Sequence, residues 1–175
     1  MNYAEIKYYD IANGPGVRVS VFVSGCTHQC KGCFNEIAWD FGYGKPFNDI
    51  VRGRIIAAAE PYYISGISLL GGEPMEVNNQ MAVILLLREF RKKYGNDKTV
   101  WCYSGYTYEE LTDKNNKRCH CSVTDELLGY IDVLVDGEFV EEKKDITLRF
   151  RGSSNQRLID LNKTREEGRI VIWND

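Results

Sequence analysis

The sequence has no surplus of positive charge. Its 22 Lys and Arg stand against 25 Asp and Glu, giving a net charge of −3 over 175 residues. That balance lacks the electrostatic footprint of a nucleic-acid binder and argues against nucleic acid as the main partner. Long apolar runs are missing too. None reaches the ~18 residues needed to span a bilayer, so no membrane association is expected. The first residues, MNYAEIKYYD, lack a positive region followed by an apolar core. This predicts no export and a cytoplasmic protein. No repeat, low-complexity tract or Pro- or Ser-rich linker interrupts the chain, and its four prolines sit at turns or element ends. One domain over residues 1–175 is the simplest organisation. Cysteine is what the chain has in quantity, with six. In a reducing compartment, clustered thiols point to metal or redox chemistry rather than to a disulfide scaffold.

The hydrophobic pattern alternates strand and helix. Strands are expected at 17–23, 64–70, 98–103 and 131–135, with late strands at 146–151 and 169–173. Helices are expected at 48–59, 76–94, around 108–111 and at 125–130. This order predicts an α/β fold with mainly parallel pairing, in which chemistry sits in loops at the C-terminal ends of strands. Three loops occupy that position: the cysteine-rich 24–35, Gly71-Gly72-Glu73-Pro74, and Tyr103-Ser104-Gly105-Tyr106.

Cys26, Cys30 and Cys33 stand at C-x3-C-x2-C spacing, flanked by Gly25 and Gly32. Three thiolates from one short loop can converge on one metal centre, and iron–sulfur clusters are held by such groups. A [4Fe–4S] cube has four irons, so three cysteines leave one iron open to a substrate or cofactor. The alternatives are ordinary buried thiols, or structural zinc with His28, Cys119 or Cys121 as a fourth ligand.

The other candidates have bland readings beside functional ones. The Gly71-Gly72-Glu73-Pro74 turn could hold an ammonium group through a carbonyl edge and Glu73, or be a plain turn. Ser104 could touch a carboxylate or ribose, or belong to a capped turn near Thr107. Asp136 ends an apolar strand, where it could meet a ligand or make a hairpin turn. Arg151 lies in the polar run 149–156 and suits carboxylate recognition, or is solvated. Arg18 reads as a core-edge ion pair, and Cys102 as a buried hydrophobe-like thiol. Cys119-His120-Cys121 reads as structural, Met75 and Met81 as core, and Arg91-Lys92-Lys93 as a solvated helix end.

The cysteine spacing after the first predicted strand resembles the cluster motif of the radical S-adenosylmethionine (SAM) superfamily. The resemblance narrows with Asn13-Gly14-Pro15-Gly16-Val17-Arg18, Cys33-Phe34-Asn35, Trp39-Asp40-Phe41, Gly71-Gly72-Glu73-Pro74, Tyr103-Ser104-Gly105-Tyr106, the run 132–137 and Phe150-Arg151-Gly152-Ser153-Ser154-Asn155-Gln156-Arg157. Together these resemble the activating enzymes of anaerobic (class III) ribonucleoside-triphosphate reductases. The resemblance implies a partial (βα)6-type TIM barrel of the radical SAM kind. It implies a [4Fe–4S] cluster on Cys26, Cys30 and Cys33, with S-adenosylmethionine as cosubstrate. Reductive cleavage would give a 5′-deoxyadenosyl radical that takes hydrogen from a glycine of the reductase large subunit. An external low-potential electron donor, such as a flavodoxin, would feed the cluster. The cofactor contacts implied are Gly32, Cys33, Phe34, Gly71, Gly72, Glu73, Ser104, Asp136 and Arg151. Gly32 replaces the aromatic residue common before the last cluster cysteine, so Phe34 or His28 is left to cover the adenine. The alternatives are an activase of another glycyl-radical enzyme and a non-enzymatic iron–sulfur or zinc-binding module.

Overall fold

A computed structural model describes residues 1–174. Seven strands make one mixed sheet: β1 (Asn2–Asp10), β2 (Val17–Val23), β3 (Lys45–Pro46), β4 (Ile64–Gly71), β5 (Thr99–Ser104), β6 (Val133–Asp136) and β7 (Arg157–Asp160). Their order across the sheet is β3-β1-β2-β4-β5-β6-β7. The central four, β2, β4, β5 and β6, run parallel, while β1, β3 and β7 pair antiparallel. Strand β2 is buried along nearly its whole length, as parallel strands covered on both faces must be.

The crossovers carry α1 (Asp49–Ala58), α2 (Val77–Tyr94), α3 (Tyr108–Thr112) and α4 (Thr124–Tyr130), and α5 (Leu161–Glu167) follows β7. Asn48 caps α1 by accepting from the Val51 amide, and Thr107 with Glu110 forms a capping box on α3. Ile55, Ile84, Leu87 and Leu127 from the helices pack on Val19, Val21, Ile67 and Leu69 of the sheet. The other face holds Trp101, Val133, Val135 and Leu158, with Phe150 and Trp173 edge-on to Trp101 at 5.4 and 5.0 Å. Among the described residues, no helix is long and apolar enough to cross a membrane.

The structure departs from the sequence expectation at several points. The parallel run is four strands rather than six repeated units, because residues go instead to antiparallel edges and to the irregular segment 137–156. Residues 146–151 are not a strand. Ile146 is exposed and Phe150 takes a left-handed φ of 57°, which breaks the extended run. Residues 169–173 contribute only a bridge from Ile172 to Ile159. Met81 is exposed rather than core. Arg91 is not solvated: it donates to Asp132 Oδ2 at 2.6 Å and to the Tyr130 carbonyl, fastening α2 to the start of β6. Arg18 is fully buried without a carboxylate contact among the described residues. Its guanidinium donates to Ser68 Oγ and the Ile67 carbonyl, both at 2.7 Å, and to the Thr99 carbonyl at 3.0 Å. Burial lowers its pKa to about 10.

Candidate functional site

The C-terminal ends of the four parallel strands open onto one cavity of about 430 Å³. Its wall includes Cys26, Cys30 and Cys33 after β2, Gly71 to Glu73 after β4, Ser104 and Gly105 at the end of β5, and Gly137 after β6. Gly32, Phe34 and Arg151 line it as well. The three loops singled out in the sequence therefore meet where parallel α/β sheets gather their chemistry.

The chain folds this way because backbone meets backbone closely. The Gly72 amide donates to the Val23 carbonyl at 2.7 Å, and the Glu73 amide to Gly25 at 2.8 Å. A side chain at Gly72 would come within 2.6 Å of the Gly25 carbonyl oxygen, so this turn can press against the cysteine loop only as glycine. Glu73 is buried. Its Oε1 accepts from the Met75 amide at 2.8 Å and its Oε2 from the Gly105 amide at 2.6 Å.

The residues between the cysteines act as fasteners. Thr27 donates through both its amide and its hydroxyl to Glu76 Oε1, at 2.7 and 2.5 Å. The His28 ring lies 4.3 Å from that of Tyr106, with Nδ1 2.6 Å from Glu138 Oε1 and Nε2 3.4 Å from Glu73 Oε2. Burial works against the charged imidazole, but the two carboxylates outweigh it and raise the His28 pKa. Both candidates for the adenine cover line the cavity: the His28 side chain is enclosed at 3% exposure, and Phe34 stands 82% exposed on the rim.

The thiols suit an iron–sulfur cluster. Burial pushes Cys26 up to about 12, opposed by the backbone amides of His28 and Gln29 and reinforced by Glu73 and Glu76. Burial also raises Cys30, opposed by the Phe139 amide. The Asn35 amide donates to Cys33 Sγ at 3.4 Å. Each sulfur thus faces backbone N–H groups, the kind of contact that tunes cluster potentials. Metal binding here must displace thiol protons. Of the fourth zinc ligands considered from sequence, His28 lines the cavity, flanked by two carboxylates, and neither Cys119 nor Cys121 does. Among the described residues, no three His, Cys, Asp or Glu side chains are grouped to hold a single metal ion.

Asp136 does not line the cavity. Its carboxylate accepts from Arg157 Nε at 2.9 Å and from the Tyr108 amide at 2.7 Å, holding β7 and α3 to the end of β6. Nor is Asp136-Gly137 a tight hairpin, because β7 begins only at Arg157. Ser104 does line the cavity while its Oγ accepts from the Tyr106 amide at 3.1 Å, so the capped turn and the cavity position hold together. Sequence reasoning missed Glu76, Glu138 and Asn79. The Asn79 amide group donates to the carbonyls of Ser24 and Glu73, at 3.0 and 2.9 Å. Only an amide at the start of an apolar helix hinted at it.

Comparison with known proteins agrees with this geometry. The chain belongs to the family described as a 4Fe-4S single cluster domain, which matches residues 12–159. Three similar proteins share one name, anaerobic ribonucleoside-triphosphate reductase-activating protein. That of Vibrio cholerae is 42% identical over 158 residues, covering 89% of this chain and 96% of the relative. That of Escherichia coli K12 is 38% identical with the same coverage. That of enterobacteria phage T4 is 33% identical, over 90% of this chain and 93% of the relative. Within the cluster-domain class, this chain is therefore a member of the anaerobic ribonucleoside-triphosphate reductase-activating family.

Proposed function

We propose that this chain is a glycyl-radical activating enzyme whose target is the large subunit of the anaerobic ribonucleoside-triphosphate reductase. The observation that carries the reading is the cavity at the parallel strand ends, walled by Cys26, Cys30 and Cys33, in a chain of this family. The chemistry supplied when a [4Fe–4S] cluster and S-adenosylmethionine are bound is reductive cleavage of the sulfonium to methionine and a 5′-deoxyadenosyl radical, which takes a hydrogen atom from a glycine of the target.

The chain's own residues have distinct tasks. Cys26, Cys30 and Cys33 would hold the cluster. Gly32, with a φ of 71°, turns the loop between the last two thiols. Phe34 covers the adenine. Gly71 and Gly72 keep the wall low enough for close approach, and Glu73, fixed by two amides, faces the ammonium group. Ser104 accepts through its oxygen and so retains its hydroxyl proton for a ribose or carboxylate. One Arg151 nitrogen donates to the Gln156 carbonyl at 2.7 Å, leaving further donors for a carboxylate. Leu70, Phe139, Leu148 and Phe150 give the cavity wall apolar surface. No general base is needed, since hydrogen-atom abstraction asks for position.

The four parallel strands with helices in their crossovers support reading the sheet as part of a barrel of the radical SAM kind, whose open side would admit a loop of a folded partner. The electron comes from an external low-potential donor such as a flavodoxin, and the setting is the cytoplasm. Anaerobic reconstitution tests the reading: a [4Fe–4S] spectrum that changes on addition of S-adenosylmethionine is expected. A colourless zinc protein, or a cluster indifferent to S-adenosylmethionine, would overturn it.

A further inference from the structure

His28 stands between two of the cysteines, yet its enclosed side chain reaches three other parts of the cavity wall. Its Nδ1 lies 2.6 Å from Glu138 Oε1, just past the end of β6. Its ring lies 4.3 Å from that of Tyr106, just past the end of β5. A side chain on Gly105 would come within 2.7 Å of the imidazole, so the β5 turn rests directly on it. Nε2 stands 3.4 Å from Glu73 Oε2, the oxygen that accepts from the Gly105 amide. One ring in the loop after β2 therefore meets the chain leaving β4, β5 and β6.

The contact with Glu138 bears most on the cavity. Glu138 lies at the start of the irregular segment 137–156, which stands outside the seven-stranded sheet. That segment still supplies Phe139, Leu148, Phe150 and Arg151 to the cavity wall. A wall without a strand ladder takes its place from other contacts. The Phe139 amide faces Cys30, and Lys31 Nζ lies 3.0 Å from Glu141 Oε2. The Lys31 pair is exposed on both sides and holds weakly. The bond from Nδ1 to Glu138 is short, ends on a carboxylate and has its imidazole enclosed, which makes it the stronger tie. Enclosed as it is, the ring acts through the wall and not by touching a ligand.

We propose that His28 is a positioning residue: through Glu138 it sets the distance between the cysteine loop and the wall segment that carries Phe139 and Arg151, and so the width of the cavity offered to S-adenosylmethionine. The proposal rests on the activase reading.

The test acts at the half-exposed end of the bond, so that the cysteine loop keeps its own residues. Cluster-loaded Glu138→Ala and Glu138→Gln are prepared anaerobically, and calorimetric Kd for S-adenosylmethionine is measured beside iron content per protein. Gln keeps an acceptor for the Nδ1 proton and drops the charge, whereas Ala drops both. Kd should weaken about fivefold in Glu138→Ala and stay within about twofold of wild type in Glu138→Gln, with iron unchanged in both. In a His28→Ala background, Glu138→Ala should add nothing further, the signature of a shared contact. Should His28→Ala fail to take up its cluster, the two Glu138 variants decide. Unchanged Kd in Glu138→Ala would overturn the proposal. So would equal weakening in both variants, which assigns the effect to charge acting across space, or loss of iron, which assigns Glu138 to holding the cluster. Wild type that fails to bind S-adenosylmethionine would instead bring down the activase reading itself, and the proposal with it.

Discussion

Two segments of this chain carry the same ingredients to opposite ends. The loop 26–33 and the segment 119–121 each combine cysteines with a histidine. The first follows a central parallel strand and lines the cavity. The second precedes α4 and is bound into the fold. Cys119 Sγ donates to the Glu110 carbonyl and Cys121 Sγ to Gln80 Oε1, both at 3.3 Å. Gln80 in turn donates to the Cys119 carbonyl at 2.6 Å and accepts from Thr124 Oγ1 at 2.6 Å. His120 pairs with Asp125. The Cys119 and Cys121 thiols donate to oxygens within the fold, whereas the Cys26, Cys30 and Cys33 sulfurs stand beside a cavity. Position in the sheet, more than residue type, divides the six cysteines.

Substitution can break that division. The largest effect is expected at the cavity: Cys26→Ala, Cys30→Ala or Cys33→Ala loses the cluster absorbance and all activity, while Cys102→Ala, Cys119→Ala and Cys121→Ala keep the cluster per folded molecule. Equal loss in either group would erase the distinction, and iron and sulfide content measures it.

The carboxylates divide the same way, Glu73 toward the cavity and Asp136 into the fold. Asp136→Asn should lower stability by about 3 kcal/mol, because it weakens the charge-assisted bonds that the buried Asp136 carboxylate accepts from Arg157 and the Tyr108 amide. Affinity for S-adenosylmethionine should hold. Denaturant unfolding and calorimetry on one preparation check both, and weakened affinity with intact stability would return Asp136 to the cofactor site.

Smaller still is Gln80→Leu, at about 2 kcal/mol, since it strands the Cys119 and Met75 carbonyls and the Thr124 hydroxyl. Its Tm should fall with no change in iron per folded protein.

The smallest effect is at Glu109. The Arg157 guanidinium holds its carboxyl below the usual range, against a small opposing contribution from burial. A depressed carboxylate stabilises above its unfolded pKa, and that stability is lost as pH falls through the folded value. Half exposed, the pair contributes under about 1 kcal/mol. The Tm difference between wild type and Glu109→Gln should be present at neutral pH and vanish in acid.

What was legible in the sequence was local. The cysteine spacing, the Gly71-Gly72-Glu73-Pro74 turn and the Thr107 cap each depend on neighbours within a few residues, and each stands where its pattern predicted. A position at a strand end does not reveal that Arg157, 21 residues on, captures the Asp136 carboxylate. The segment 146–151 has strand-like apolar residues, yet it runs along the cavity wall instead of joining the sheet. Strand β1 went unpredicted because its residues are mostly half-buried or exposed and alternate poorly.

The most direct test of the account mixes the reduced, cluster-loaded protein with S-adenosylmethionine and the large subunit of the anaerobic reductase, and records electron paramagnetic resonance. The account predicts a glycyl radical on the reductase, formed together with 5′-deoxyadenosine and methionine. Deoxyadenosine released without a glycyl signal would contradict the target, and the absence of both products would contradict the chemistry.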